Sequence, residues 1–129
     1  MFHLSNDDIQ RKFINFQDSL LKSITIEYVG DGKKDCKISV YTAYLDGSKE
    51  SWGTVDILIS NVYSYRVHEP IDTMAEVISS GFHVVDIEGK SGIDLGYFAE
   101  PPKTLKELVS SDLFVLGENI KVMMRDDFS

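Results

Sequence analysis

At 129 residues the chain has the length of one domain, and 43% hydrophobic with 26% charged residues is a globular rather than a disordered composition. A single cysteine, Cys36, excludes an internal disulfide and, with no Cys/His cluster near it, a zinc site. The formal net charge of −8 argues against nucleic acid and anionic membrane as partners and in favour of a basic protein.

The N-terminal residues carry neither a basic start nor an apolar run, so no signal peptide is expected, and the unpaired cysteine suits a reducing, cytoplasmic setting. Ser5-Asn6-Asp7-Asp8 supplies a capping side chain and first-turn acids. Ile9, Phe13, Phe16 and Leu20 follow at helical spacing, which predicts a helix over 6–15, with 20 as its outer limit. The period then becomes two. Ile24, Ile26 and Tyr28 alternate with Thr25 and Glu27; Asp31-Gly32 marks a turn; Cys36, Ile38, Val40 and Thr42 alternate with Lys37, Ser39 and Tyr41. Asp46-Gly47 marks a second turn, and Trp52, Val55, Ile57 and Ile59 a third strand, with a bulge expected near Gly53. Val62–Val67 reads as a fourth strand, and the four are expected to pair as an antiparallel meander.

After Pro70 the segment 71–79 reads as a short helix or an irregular crossing. Strands are expected over 82–88 and 93–98, joined by Gly89-Lys90-Ser91-Gly92 and ended by Pro101-Pro102. Thr104–Val109 predicts a short helix, and 113–116 with 120–124 a last pair of strands around Gly117-Glu118-Asn119. The expected fold is a single α+β domain over 1–129. It is a strongly bent antiparallel meander sheet or half-barrel, with an N-terminal helix and a short C-terminal helix.

The stretch His83–Ser91, HVVDIEGKS, carries two catalytic suggestions. A phosphate loop needs a glycine five residues before Gly89, where Val84 stands, and a following helix, where Ser91-Gly92-Ile93 has strand character. Asp72 with Glu88 and Lys90 loosely matches a metal-dependent nuclease, in which two carboxylates hold Mg²⁺ and a lysine assists water. Lys90 lies past a glycine, and the surrounding charge has the wrong sign for DNA. The reading preferred here is a strand ending in a hairpin. His3, His68 and His83 have no partner at metal spacing, so no cofactor or metal is expected.

From Glu50 to Glu100 nine acids face two bases, Arg66 and Lys90, a local net charge of −7. Asp72, Glu76, Asp86, Glu88 and Asp94 are the candidates for an acidic docking face, and Tyr63 and Tyr65 in Tyr-Ser-Tyr-Arg are candidate aromatic anchors. The alternative is ordinary strand composition on a solvated surface.

Three stretches carry a resemblance. Phe16-Gln17-Asp18-Ser19-Leu20-Leu21-Lys22-Ser23-Ile24 resembles an aromatic-x-Asp-Ser-x-Leu-x-x-Ile entry into a meander, with Gln17 where His is expected. Ile59-Ser60-Asn61-Val62 and Ser111-Asp112-Leu113-Phe114-Val115-Leu116-Gly117 resemble two further strands of the same group. The group is the small bacterial immunity-type proteins of polymorphic toxin systems. The resemblance implies a non-enzymatic binder that neutralises a cognate toxin; the acidic middle of the chain adds the expectation of a basic, nuclease-type partner, and the protein is expected as a monomer or homodimer. A small-molecule-binding bent sheet and a nuclease-like enzyme are the alternatives.

Overall fold

The computed structural model describes residues 5–67, 77–78, 81–96 and 101–129. Helix α1 spans Asn6–Lys12, and Ser5 caps it by accepting from the Asp8 amide at 3.1 Å. The expected continuation to 15 does not form. Ile14, Asn15 and Phe16 instead take left-handed φ values of 52°, 53° and 55°. Such a conformation costs roughly 1–2 kcal/mol per residue. Burial offsets it: Phe16 is fully buried and stacks on Phe82 at 4.1 Å and on Phe13 at 5.3 Å. The Phe82 amide donates to the Asn15 carbonyl at 3.2 Å. A side chain at Gly81, itself at φ 79°, would overlap that carbonyl.

Three long strands follow: β1 (Ser19–Gly30), β2 (Lys33–Asp46) and β3 (Lys49–Ser60). The two-residue loops Asp31-Gly32, as its turn signal predicts, and Gly47-Ser48, one residue past the expected Asp46-Gly47, join them. The β2–β3 register runs unbroken from Cys36↔Ile59 to Asp46↔Lys49, so the bulge expected at Gly53 is absent. The irregularities fall in β1 instead, between Leu21 and Ser23 and between Tyr28 and Gly30.

The meander ends at Ser60. Strand β4 (Ser64–Val67) pairs with β8 (Leu113–Gly117) rather than with β3. Strands β5 (Val77–Ile78), β6 (His83–Ile87), β7 (Lys90–Asp94) and β9 (Asn119–Met124) complete two open antiparallel sheets, ordered β5-β1-β2-β3-β9 and β4-β8-β7-β6. The expected hairpin around Glu118 is therefore a crossing between sheets: β8 lies in one sheet and β9 in the other. The β6–β7 turn is Glu88-Gly89, with φ values of 52° and 79°, and Lys90 already belongs to β7. Both turn residues have positive φ, the condition of the hairpin turn that matches strand twist.

One core lies between the sheets. Ile38, Val40, Val55, Ile57 and Val122 from the first meet Ile93 and Val115 from the second, and α1 and the phenylalanine stack close one end. Helix α2 (Leu105–Leu108) covers the other face of the four-stranded sheet, where Leu108 packs with Val85, Ile87, Phe114 and Leu116. Strand β8, inside the smaller sheet, is thus buried on both faces and has no exposed residue. The C-terminal residues run back along β3: the Arg125 amide donates to Thr54 O, and Trp52 and Ser129 exchange backbone bonds at 3.0 Å each way. The Phe128 ring sits over Gly53, in space a β-carbon would fill.

Candidate functional site

Cross-strand pairing brings Tyr63, Lys90 and Glu88 to one end of the molecule. β4 is an edge strand, and its neighbour β8 separates it from β7. Tyr65 and Val67 lie on the same side of β4 by strand alternation, 45% and 47% exposed. Tyr65 is registered with Val115, a core residue, yet stays half exposed because β4 stands outside the cover of the larger sheet. Tyr63, just before β4, is 59% exposed, and the Lys90 ammonium sits 4.6 Å over its ring. Such a contact on the surface contributes about 0.5–1 kcal/mol and holds the ring upright.

Asn61 donates its side-chain amide to Glu118 and its backbone N–H to the Asp35 carboxylate, 3.1 Å away. Asn61 takes a left-handed φ of 48°, a conformation that asparagine tolerates. These bonds fix the crossing from β3 and so aim Tyr63. Glu88 and Asp86 are exposed, Glu88 at the turn two residues before Lys90. The pairing of Asn61 with Glu118 carries no signal in sequence; only the crossing between sheets brings the two together.

The acidic candidates separate. Asp94 is fully buried, so it leaves the exposed face expected of it. Its Oδ1 accepts from Ser111 Oγ at 2.6 Å and from the Gly96 amide at 3.0 Å. Burial pushes its carboxyl above the usual range, against the Ser111 and Gly96 hydrogen bonds and the charge of His83, which hold it down. Asp72 and Glu76, with His3 and His68, lie outside the described residues. Of the other acids in the middle of the chain, Asp56 is neutralised: Arg125 binds it through two nitrogens at 2.8 and 3.0 Å. That pairing, with Ser39 Oγ at 2.5 Å, draws the Asp56 carboxyl below its ordinary value. Among the described residues from 50 to 96, the exposed acids are Glu50, Asp86 and Glu88.

The chemical candidates are likewise placed. Glu88 occupies the turn, and Lys90 faces the Tyr63 π-system. Among the described residues no group of three or more His, Cys, Asp and Glu is placed to hold a metal ion. Cys36 is buried in the core, and burial pushes its thiol up to about 11. A groove of about 500 Å³ lies on the outer face of the five-stranded sheet, where Thr25, Lys37 and Leu58 stand in register beside Glu27, Asp35 and Ser60.

No family model, curated protein or solved structure matches the chain.

Proposed function

We propose that the protein is a non-enzymatic binding protein that docks through the Tyr63–Tyr65–Val67 edge on a basic protein partner, in the manner of an immunity protein acting on a nuclease-type toxin in the cytoplasm. The observation that carries this reading is the concentration of exposed apolar surface within five residues at the β4 edge, with the exposed acids Asp86 and Glu88 across the same sheet on the β6 side. Aromatic anchors supply contact area at low entropic cost, and an acidic rim accelerates encounter with a cation-rich surface. Nucleic acid and membrane are not partners in this reading, and the protein acts as a monomer or homodimer.

The test is binding kinetics against a basic toxin encoded beside this gene, over a salt series. Asp86→Lys with Glu88→Lys slows association several-fold at low salt, and the penalty shrinks as salt rises. Tyr63→Ala or Tyr65→Ala speeds dissociation instead. An association rate indifferent to charge reversal at low salt refutes the electrostatic half of the proposal, and dissociation indifferent to both tyrosines refutes the anchor half.

A second reading rests on the groove beside Glu27, Asp35 and Lys37. It takes the larger sheet to be bent toward a half-barrel there, holding a small molecule with both polar and apolar parts. Lys37→Glu abolishes ligand binding under this reading and leaves toxin binding unchanged under the first.

A further inference from the structure

Asp94 is the most deeply buried acid of the described chain, and the docking surface does not use it. Its surroundings are unequal at the two oxygens. Oδ1 has two donors, Ser111 Oγ and the Gly96 amide, while Oδ2 has no hydrogen-bond partner among the described residues. A buried carboxylate oxygen without a donor is costly; the same oxygen as the carbonyl of a neutral acid is much less so.

Ser111 is built to serve both states. Its Oγ lies 2.6 Å from Asp94 Oδ1 and 3.3 Å from the Leu113 carbonyl oxygen, and it accepts from the Leu113 amide at 3.3 Å. One hydroxyl proton therefore has two acceptors within reach. With Asp94 ionised, Ser111 donates to Oδ1. With a proton on Oδ1, Asp94 donates to Ser111 Oγ, and the serine proton turns to the Leu113 carbonyl. Every donor keeps an acceptor in either arrangement.

Among the described residues, the groups facing Asp94 are few. From β6 it is His83, registered directly opposite; from β8 it is Phe114; the segment after α2 presents Ser111, and the turn after β7 presents the Gly96 amide. His83 is the one ionisable group among these.

We propose that Asp94 is a proton-operated latch: a proton taken from solvent at Oδ1 reverses the Ser111 hydrogen bond and locks the segment between α2 and β8 onto β7, and its release to solvent loosens that segment. Burial holds the midpoint above the ordinary value, and His83 across the strand pair draws it partly back down. Loosening starts at the α2–β8 segment because Ser111, its tie to β7, also makes the local bonds to Leu113. The direction follows from burial. A carboxyl raised in the folded state adds stability that is complete below its unfolded value near 3.8 and is lost as pH rises through the folded value. The latch is therefore closed on the acid side and open on the alkaline side.

The experiment is a carboxyl-carbon NMR titration of the intact chain, paired with amide exchange of residues 108–113 corrected for intrinsic rates, between about pH 4 and pH 8. The Asp94 carbon titrates above 3.8, and His83→Gln moves its midpoint upward. Protection of residues 108–113 falls several-fold as Asp94 ionises. Asp94→Asn, fixed in the neutral state, keeps that protection across the range; Ser111→Ala loses it at every pH. An Asp94 midpoint at or below the ordinary value overturns the proposal, and so does a midpoint unmoved by His83→Gln. Exchange in Asp94→Asn with the pH dependence of the parent protein overturns it as well. Should Asp94→Asn fail to fold, the two titrations decide alone.

Discussion

The contact between Gly53 and Phe128 couples the C-terminal residues to the middle of β3, and its energetics can be worked from the structure. Gly53 has no positive φ, so alanine meets no backbone penalty there; the obstacle is the Phe128 ring, which a β-carbon would overlap. Overpacking of this kind costs about 1–3 kcal/mol. The ring can also swing away, so the cost is capped by the cost of undocking Phe128. That ring is partly buried against the core and lies edge-on to Tyr44 at 6.2 Å. Burial of a phenylalanine contributes about 1.5–3 kcal/mol, and an aromatic pair about 0.5–1.5 more; with burial incomplete, undocking costs about 2–3 kcal/mol. Gly53→Ala alone therefore destabilises by about 1–3 kcal/mol and Phe128→Ala by about 2–3. The double variant behaves differently. With the ring gone the new methyl enters vacant space, and alanine is better than glycine within a strand by about 0.5–1 kcal/mol. The double variant is then no less stable than Phe128→Ala alone, which gives a coupling of about 1–3 kcal/mol opposite in sign to the single losses. Denaturant unfolding of the four proteins, compared at equal m-value, measures it. Additive losses would mean that the ring does not occupy the space over Gly53, and the docking of the C-terminal residues along β3 would fall with it.

Cys36, buried with its thiol pushed up to about 11, stays unreactive toward a disulfide reagent at neutral pH until the protein unfolds; a rate equal to that of free cysteine in native buffer contradicts the placement. Glu88→Asn turns the strained Glu-Gly turn into the favoured Asn-Gly pair and raises stability by about 0.5 kcal/mol, while removing one acid from the docking surface, so a thermal melt and a binding assay move in opposite directions. Arg125→Ala removes the partner that depresses Asp56, so its stability cost is present above the ordinary carboxylate value and disappears as pH falls through the folded one. With the arginine half exposed and screened by solvent the loss is small, and a loss that persists in acid would point to packing rather than charge.

The strands of the larger sheet were legible because one of their faces is buried and the other is not. Ile38 and Val40 alternate with Lys37, Ser39 and Tyr41 for that reason, and Asp31-Gly32 and Asp46-Gly47 mark their turns through backbone preferences that act within a few residues. Ser5 as a cap and Cys36 as a core residue are local in the same sense. The smaller sheet hid its arrangement because its inner strand β8 is covered on both faces: Leu113-Phe114-Val115-Leu116 is apolar throughout, and no alternation says which side meets α2 and which the other sheet. The end of α1 was equally hidden. Phe13 and Phe16 fit a helical period, but their stack with Phe82, distant in sequence, stabilises a left-handed turn in place of the helix. Composition could count the acids from Glu50 to Glu100 but not their circumstances. Pairing with Arg125 neutralises Asp56, and burial withdraws Asp94 from the surface, because charge belongs to residues while exposure and partners belong to the packed chain.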